Sequence, residues 1–152
     1  MIKDSVAKAV IVCAGGHGRV VLDILRNMSV DVVGFLDDDP SLRGRLVDDL
    51  PVLGNTSMLE EFQGSREVSF AVAIADNTQR ARIFARVLGL GLRPLNTIHP
   101  HSAIAQNVRM GRGVAIMPGV VVNTGTVIGD NVCVNTGATV DHDNVLEDHS
   151  HV

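Results

Sequence analysis

The sequence predicts an α/β domain followed by a β-solenoid: a short Rossmann-like parallel sheet with helices, then a left-handed parallel β-helix. Two observations support this prediction. Short apolar runs alternate with amphipathic segments of helical period as far as about residue 96. From residue 98 onward, an aliphatic residue or a methionine recurs at every sixth position. We therefore assign residues 1–96 to the Rossmann-like domain and residues 97–152 to the β-helix.

The composition excludes several classes of protein. Of the 152 residues, 45% are hydrophobic and 3% aromatic, so the core must consist mainly of Val, Ile, Leu and Ala. A net charge of −4 and the lack of any Lys/Arg cluster argue against binding to nucleic acid. The apolar run near the N-terminus is too short for a signal peptide, and no segment is long enough for membrane insertion. Cys13 and Cys133 show no metal or redox spacing, so we expect buried, reduced thiols in a cytoplasmic protein.

Strands and helices alternate in the first domain, which predicts parallel pairing of the strands. Apolar runs rich in β-branched residues predict strands over residues 9–15, 30–38 and 68–75. Helical periodicity predicts helices over residues 19–28 and 79–89, and a weaker helix over residues 56–62 that a Ser/Thr cap would open. The predicted buried faces are Val21, Ile24, Leu25 and Met28 in the first helix, and Ala81, Phe84, Ala85 and Leu88 in the last.

Ten residues spaced by six form an aliphatic ladder in the second domain. A period of six fits neither a helix nor an ordinary strand. Three sides of six residues instead make a triangular coil, in which each ladder residue points inward and Gly or Asn takes corners with positive φ. A β-sandwich would need alternation at two and hairpin turns such as Asn-Gly, which this region lacks. The ladder residues are Ile98, Ile104, Met110, Ile116, Val122, Ile128, Val134, Val140, Leu146 and Val152.

The predicted β-helix is short and ends abruptly. The 55 residues from Ile98 to Val152 make three coils of eighteen residues, and at about 4.8 Å per coil the prism would be roughly 15 Å tall. The last coil ends at a ladder residue without a capping helix or polar loop. This ending indicates truncation or reliance on neighbouring subunits, and we favour truncation.

A glycine-rich segment follows the first predicted strand. Gly15, Gly16, His17 and Gly18 lie between the first strand and the first helix, where free N–H groups favour a phosphate or nucleotide. The full dinucleotide fingerprint is not met because its last glycine is replaced by Val21, and a tight turn that binds nothing is the alternative.

Acidic residues end the second strand. Asp37 and Asp38 come about twenty residues after the glycine-rich segment, where an acid commonly contacts a ribose or base. A solvated acidic turn ahead of Pro40 is the alternative for any one of these residues.

Histidines cluster towards the end of the chain. Three histidines on a β-helix could hold zinc, as in the carbonic anhydrases built on this solenoid, but the spacing of His142, His149 and His151 does not define a tetrahedral site, so we expect no metal. We expect His149 to be a polar surface residue. His142 stands between Asp141 and Asp143, and a carboxylate neighbour can orient an imidazole and raise its basicity, which suits a general base.

The ordered motifs resemble a known family over the whole chain. The segments "VIVCAGGHGRVVLDIL", "VVGFLDDD" and "AIADNTQR", followed by the hexapeptide run with "VDHD" and "HSHV", are similar to sugar acyltransferases of the sialic-acid O-acetyltransferase type. That group includes the N-acetyltransferases of UDP-, GDP- or dTDP-linked 4-amino-sugars. The resemblance implies a homotrimer whose Rossmann-like domain holds a nucleotide-linked amino-sugar. It also implies that acetyl-CoA, as co-substrate, binds in clefts between the β-helices of neighbouring subunits.

The resemblance also implies roles for individual residues. The glycine-rich segment would contact the phosphates or the sugar, and the two aspartates would lie near the ribose or base. Asn77 and Arg80 would be further substrate contacts on that side. His142 would be the catalytic base, assisted by the acid Asp143, and His151 would lie near the acetyl-CoA thioester. The sugar's 4-amine would attack the thioester carbonyl while His142 accepts the proton and a backbone N–H binds the oxyanion.

The chain departs from this family in length. Members continue for several more coils, on the order of sixty residues by the eighteen-residue coil, and those coils carry most acetyl-CoA contacts. We therefore expect activity in the full-length protein and none in this chain alone. Three alternatives remain: a sialic-acid-type sugar O-acetyltransferase, a zinc-dependent hydratase of the carbonic anhydrase kind, and a non-catalytic nucleotide-binding regulator. The sequence does not select the nucleotide, the sugar, or amine over hydroxyl.

Overall fold

The computed structural model describes residues 7–152, and the first domain in it is a sheet with helices on its faces. The helices are α1 (Gly16–Asn27) and α2 (Asn77–Gly89), and 3₁₀ helices cover Pro40–Leu42 and Thr56–Phe62. The strands are β1 (Lys8–Val12), β2 (Asp31–Leu36), β3 (Leu46–Val47), β4 (Leu50–Gly54), β5 (Val68–Val72) and β6 (Arg93–Pro94).

The sheet has the strand order β3-β4-β2-β1-β5-β6. All pairs are parallel except β3 with β4. The central strand β1 pairs with β2 on one side and β5 on the other, and its apolar residues from Ala9 to Val12 are fully buried. A continuous apolar run is what a strand covered on both faces requires. The predicted parallel sheet with helices is therefore confirmed.

Each face of the sheet has its own apolar cluster. Helix α1 covers one face with Val21, Leu22, Ile24 and Leu25, all buried, as its helical periodicity predicts. Met28, predicted on the same face, is half-buried there. On the other face Leu59 and Val87 pack over Val10, Val12, Leu36, Phe70 and Val72.

Helix α2 differs from the prediction in its buried face. Its buried residues are Arg80, Phe84 and Val87, whereas Ala85 is exposed and Ala81 and Leu88 are half-buried. Phe84 was predicted correctly, but the rest of the buried face is offset by one residue because the sequence rule treats arginine as a surface residue. The helix begins at Asn77, and the Asp76 side chain caps it by accepting a hydrogen bond from the Gln79 N–H.

Three further local differences concern turns and helix ends. Helix α1 begins at Gly16, three residues before the predicted start, so that the glycine-rich segment forms its first turn. The segment 56–62 is a 3₁₀ helix capped by the Asn55 side chain instead of a Ser or Thr. Strands β3, β4 and β6 were not predicted, and β3 joins β4 through Asp48 and Asp49, both with positive φ. Two such residues fit a type I′ hairpin turn, which is more often Asn-Gly or Asp-Gly.

The second domain is a three-sided parallel β-helix. Its two-residue strands form three sheets, β7-β10-β13, β8-β11-β14 and β9-β12-β15, one on each side of the prism. Every pair is parallel with a register offset of eighteen residues, as in Ile116 with Val134. The strands are Thr97–Ile98, Ala103–Ile104, Arg109–Met110, Ala115–Ile116, Val121–Val122, Val127–Ile128, Cys133–Val134, Thr139–Val140 and Val145–Leu146, numbered β7 to β15 in that order. The predicted β-solenoid is confirmed.

The ladder residues line the interior. Those of the middle turns are buried: Ile116, Val122, Ile128, Val134 and Val140. Those near either end are half-buried, and Val152 is 44% exposed. Positive φ occurs at the corner glycines Gly113, Gly119, Gly125 and Gly137, and also at Asn131, Asp143 and His149. The expectation of positive-φ corners is met, although Asp and His share them with Gly and Asn.

The two domains share one core. Helix α1 lies against strand β7, and the backbone N–H of Ile98 approaches the Met28 sulfur at 3.4 Å. The apolar cluster on the α1 face continues without a break into the interior of the β-helix through Val114 and Ile116. Within residues 7–152, no helix has both the length and the apolar character needed to cross a membrane.

Candidate functional site

A cavity of about 430 Å³ opens at the carboxyl ends of the parallel strands. In open α/β sheets, ligands bind in the crevice at this edge, where the strand order reverses. Here β1 separates β2 from β5, so the crevice lies at the ends of these three strands. The lining combines apolar and charged side chains: Val12, Cys13, Leu36, Asp37, Asp38, Thr56, Ile74, Gln79, Arg82, Ile83 and Arg86.

Both predicted acids lie in this cavity, and both are held by hydrogen bonds. The Asp37 carboxylate accepts the backbone N–H groups of Ala14 at 2.8 Å and Asp39 at 2.9 Å. The Asp38 carboxylate accepts the N–H of Thr56 at 2.8 Å and its hydroxyl at 3.1 Å. Each carboxylate oxygen has a second lone pair that remains for a ligand. The two acids therefore shape the cavity and present acceptors to it.

The glycine-rich segment divides into an open part and a packed part. Gly15 is the N-cap of α1, and both it and Gly16 are exposed. Gly18 is buried, and a Cβ there would overlap the carbonyl oxygen of Cys13. Gly18 thus lets α1 pack tightly on the end of β1, a packing role that the sequence analysis did not assign to it. Gly15 and Gly16 remain candidates, since first-turn N–H groups have no partner within the helix.

Cys13 has a strained backbone at the mouth of the cavity. Its φ is +87°, which is rare for a residue with a side chain. Burial raises the pKa of its thiol above the ordinary value, helped by the neighbouring carboxylates of Asp37 and Asp38. The thiol is therefore neutral, and it is half-buried where the sequence predicted full burial. Such strain concentrates at functional sites.

Arg80, predicted as a substrate contact, does not line the cavity and uses its guanidinium within the protein. The side chain is 2% exposed, and its guanidinium donates to Ile74, Ala75 and Asn131 carbonyls and to the Asn77 side chain. No donor is left for a ligand. Asn77 is exposed at the start of α2, but its side-chain oxygen is bound to Arg80.

Two arginines that the sequence analysis missed lie where a nucleotide would need a cation. Arg82 is exposed and lines the cavity from helix α2. Arg86, one turn further on, also lines it but is paired with Glu60 through its Nη2 at 2.6 Å. Gln79, Arg82, Ile83 and Arg86 are spaced i, i+3, i+4 and i+7, so their common helix face was readable from the sequence.

His17 and His151 meet at the junction of the domains. Their ring centroids are 6.1 Å apart in an edge-on arrangement, and His17 Nε2 lies 3.8 Å from the sulfur of Cys133. Burial lowers the pKa of His17, and the positive fields of His151 and Arg80 lower it further. Cys133 is buried, which raises its pKa to about 11. The first turn of α1 and the end of the β-helix thus bring together two residues that the sequence assigned to different ligands.

His142 carries the features of a general base. It is at the corner between the β14 and β15 strands, and its side chain is 66% exposed. Its Nδ1 lies 2.8 Å from the Asp143 carboxylate. A carboxylate can only accept, so Nδ1 carries the proton and Nε2 is free to take another. The hydrogen bond that His142 donates to Asp143 raises the pKa of His142, and the charges of Asp141 and Asp143 add to this.

His142 and the sheet edge are on different sides of the chain. Helix α1 and the sheet cover the β7-β10-β13 side of the prism, which also carries the bridge between Cys133 and His151. His142 occupies the corner between the other two sides, β8-β11-β14 and β9-β12-β15. One copy of the chain therefore does not bring His142 to the cavity or to His17.

No metal site is formed by the described residues. Within residues 7–152, no three His, Cys, Asp or Glu side chains are close enough to hold a metal ion together. His149 contacts Asn131 through Nδ1 at 2.8 Å and packs edge-on against Phe84 at 5.8 Å, so it is a junction residue instead of a surface one.

Two family profiles match the chain. The profile of the PglD N-terminal domain matches residues 8–87, which is more than half of the chain. The profile of bacterial transferase hexapeptide repeats (six repeats) matches residues 107–142. The first match covers strands β1 to β5 and the residues that line the cavity, and the second covers most of the β-helix up to His142.

Individual relatives agree with these matches. GDP-perosamine N-acetyltransferase of Escherichia coli O157:H7 is 30% identical over 117 residues, which cover 73% of this chain and 51% of the relative. The chain thus spans about half the length of that curated relative.

Solved structures give a closer match. The acetyltransferase domain of PglB from Neisseria gonorrhoeae FA1090 superposes with a TM-score of 0.89 and 34% identity, covering 95% of this chain and 70% of that one. A histidine-to-alanine mutant of GDP-perosamine N-acetyltransferase from Caulobacter crescentus, in complex with CoA and GDP-perosamine, has a TM-score of 0.89 and 35% identity, covering 97% and 69%.

Proposed function

The chain belongs to the family defined by the PglD N-terminal domain and carries hexapeptide repeats after it, and from that premise we propose that the whole protein acts as an acetyl-CoA-dependent N-acetyltransferase. Its acceptor is the amino group of a nucleotide-linked 4-amino-sugar used in surface-glycan biosynthesis. We place the reaction in the cytoplasm. The relatives named as GDP-perosamine N-acetyltransferases support this acceptor class.

One observation carries the proposal: His142 has a fixed tautomer and an open ring nitrogen. The 2.8 Å bond to Asp143 leaves Nε2 as the proton acceptor, and the exposed corner gives an amine access to it. In the reaction, the sugar nitrogen attacks the thioester carbonyl of acetyl-CoA, and a C–N bond forms as the C–S bond breaks. His142 takes the proton from nitrogen and passes it to the departing CoA sulfur.

The cavity at the sheet edge suits the nucleotide. Its apolar walls, Val12, Leu36, Ile74 and Ile83, match the faces of a base, while Asp38 offers acceptors. Arg82 supplies an exposed cation for the diphosphate, and the exposed first turn of α1 at Gly15 and Gly16 offers a second anion site. We retain Asp37 as a residue that shapes this site through its bond to Ala14.

Because one copy does not join the two half-sites, we propose a homotrimer with sites between neighbouring subunits. The sheet edge of one subunit holds the nucleotide-sugar, and His142 of the next supplies the base. In this arrangement the exposed sides of the prism, including Val145 at 69% exposed, become subunit contacts. His151, next to His17, is then near the reacting acetyl group.

A thermal-shift screen of UDP-, GDP-, dTDP- and CMP-sugars tests the nucleotide half of the proposal. A ligand that binds only the folded protein stabilises it by RT ln(1 + [L]/Kd), which is about 2.7 kcal/mol at a hundredfold excess over Kd. One nucleotide class should raise the melting temperature more than the corresponding free sugar. No shift with any nucleotide would remove the proposed substrate class.

A transfer assay on the intact protein tests the chemistry. The amino-sugar and its hydroxyl counterpart, each linked to the nucleotide found in the screen, should differ in acetyl incorporation measured by mass. Transfer to the amine supports N-acetylation. Transfer to the hydroxyl alone would favour the O-acetyltransferase alternative, and no transfer with retained nucleotide binding would favour a regulator.

A further inference from the structure

A buried arginine joins the sheet domain to the β-helix. Arg80 is 2% exposed, and all three of its guanidinium nitrogens donate to groups of the protein. Nη1 donates to the carbonyls of Ile74 and Ala75, both at 3.0 Å, at the end of β5. Across the junction, Nη2 donates to the carbonyls of His149 at 2.7 Å and Ser150 at 3.2 Å. The side chain therefore bridges the two domains.

The same guanidinium also ties two coils of the β-helix together. Its Nε donates to the Asn131 carbonyl at 3.2 Å. Asn131 and His149 are eighteen residues apart and occupy the same corner of adjacent coils, where the His149 N–H donates to the Asp130 carbonyl. The Asn131 side chain adds a 2.8 Å contact to His149 Nδ1. Arg80 is thus the centre of a network that fixes the corner immediately before His151.

The network reaches His151 from two sides. His151 follows Ser150 directly, so the Nη2 bonds hold the backbone that carries the ring. The Ala75 carbonyl, which accepts from Arg80, also lies 3.4 Å from His151 Nδ1. The His151 ring also packs against His17, with ring centroids 6.1 Å apart. Movement of the Arg80 side chain would therefore displace the backbone that carries His151 and the Ala75 carbonyl that contacts its ring.

The charge of Arg80 acts on His17. Among residues 7–152, its guanidinium forms no ion pair with a carboxylate, and carbonyl oxygens surround it instead. The pKa of Arg80 is lowered by burial, and its positive field is one of the causes that lower the pKa of His17. A buried charge without a carboxylate is retained at a cost, which calls for a role beyond simple packing.

We propose that Arg80 is a positioning residue for acyl transfer. Its guanidinium holds the corner immediately before His151 against the end of β5, and this contact places His151 opposite His17. The catalytic consequence rests on the proposed function, whereas the positioning itself does not. The role differs from the substrate contact that the sequence suggested, since Arg80 acts through the protein backbone and through the histidine pair.

The positioning is tested by NMR of the histidine side chains in Arg80→Met, a variant of similar length without charge. Removing the positive field should raise the titration midpoint of His17, and the inter-ring nuclear Overhauser effect between His17 and His151 should disappear. His142, which is on another corner of the prism, should titrate as in the wild type and serves as the internal control. Unchanged His17 titration together with an intact inter-ring effect would overturn the proposal.

The catalytic consequence is tested by kinetics on the intact protein. A displacement of about 1 Å at a reacting group costs about 100-fold in rate, so kcat of Arg80→Met should fall by about that factor, while KM for the nucleotide-sugar stays within about twofold. Arg43→Met, which changes an exposed arginine of the sheet domain, is the matched control and should retain both constants. If the unfolded fraction of Arg80→Met accounts for the whole fall in kcat, the positioning role is overturned.

Arg80→Lys keeps the test decisive if Arg80→Met fails to fold. Lysine retains the charge but cannot span the acceptors on both sides of the junction with one ammonium group. It should leave the His17 titration close to wild type, weaken the inter-ring effect and reduce kcat. Full wild-type kcat with an intact inter-ring effect in Arg80→Lys would overturn the proposal. If wild type binds nucleotide-sugar but transfers no acetyl group, the proposed function fails while the NMR result still decides the positioning.

Discussion

His142 and its sequence neighbour Asp143 are joined by a hydrogen bond of 2.8 Å at a corner of the β-helix, where Asp143 has a φ of +57°. The left-handed conformation is one that Asp and Asn tolerate better than most residues. The corner therefore accepts either residue at position 143, and the carboxylate can be removed without disturbing the backbone.

Asp143→Asn should move the pH dependence of acetyl transfer to lower pH. The hydrogen bond and charge of Asp143 raise the pKa of His142, and a general base works only when it is neutral. Removing the carboxylate lowers that pKa, so the acidic limb of kcat/KM should shift downward in pH, and the plateau should fall because the ring is less well oriented. Glu61→Gln removes an equal charge in the other domain and should leave the limb in place. A shift to higher pH in Asp143→Asn would contradict the assignment.

His142→Gln should abolish most of the transfer but not the binding of nucleotide-sugar. A general base contributes about 10²–10⁴-fold, so kcat should fall within that range. The exposed corner carries no core contact from this side chain, so the melting temperature should stay close to that of the wild type. Single-turnover transfer and the thermal shift with nucleotide-sugar measure the two effects separately. Transfer at the wild-type rate would remove His142 as the base.

Cys13→Gly should be more stable than Cys13→Ala by about 1 kcal/mol in free energy of unfolding. Both variants lose the thiol, and they differ only in the Cβ that makes a φ of +87° unfavourable. The relief of this strain exceeds the extra entropy that glycine adds to the unfolded chain. Urea unfolding of the two variants measures the difference directly. Equal stabilities, or greater stability of the alanine variant, would show that the backbone at Cys13 is not strained.

Gly18→Ala should destabilise the fold by about 3 kcal/mol or more, whereas Gly16→Ala should not. A Cβ at Gly18 meets the carbonyl oxygen of Cys13, and neither backbone can yield without separating α1 from β1. A Cβ at Gly16 meets nothing within 4 Å. Comparison of the two alanine variants therefore separates the effect of steric crowding from the effect of replacing a glycine. Thermal and urea unfolding of both variants provide the comparison. Similar stabilities for the two would contradict the close approach of α1 to the end of β1.

Arg82→Gln should weaken the binding of nucleotide-sugar by about 10–100-fold, the value of one charge-assisted hydrogen bond to phosphate. The arginine at this position is exposed in the wall of the cavity, whereas Arg86 in the same wall is already paired with Glu60. Arg43→Gln is the matched control and should bind normally. Titration calorimetry at two salt concentrations measures the change. Unaltered affinity would place the diphosphate elsewhere, with the N-terminus of α1 as the remaining anion site.

The sequence was most informative where side chains repeat. The ladder of one inward residue in six predicted the coil of eighteen residues, and the register of Ile116 with Val134 confirms it. Hydrophobic periodicity reports which side chains point inward, and the inward position is the same on every turn of a β-helix. The α1 face and the central strand β1 were predicted for the same reason.

Local turn chemistry was less readable. The hairpin between β3 and β4 turns through Asp48 and Asp49 in place of the more usual Asn-Gly, so its strands were missed. Helix α1 begins inside the glycine-rich segment because Gly18 permits close packing on Cys13, a tertiary reason that no helix propensity contains.

Arg80 was beyond local sequence rules altogether. Its acceptors at Asn131 and His149 are 51 and 69 residues away, so nothing near position 80 indicates that the guanidinium is buried. The proximity of His17 to His151 has the same origin, since it exists only once the two domains have packed. The sequence therefore predicted which residue types belong to the candidate site, but it did not predict which of these residues contact one another.

The uniform offset between paired strands limits how such a chain can change in length during evolution. Gain or loss of one whole coil would return every following side chain to its former side of the prism and add or remove one rung of about 4.8 Å. An insertion or deletion of one or two residues within a coil would move all later residues to different positions around the prism. His142 and the corner that Arg80 contacts would both be displaced. Insertion or deletion of complete coils is therefore the change in length that preserves the positions of His142 and of the corner that Arg80 contacts.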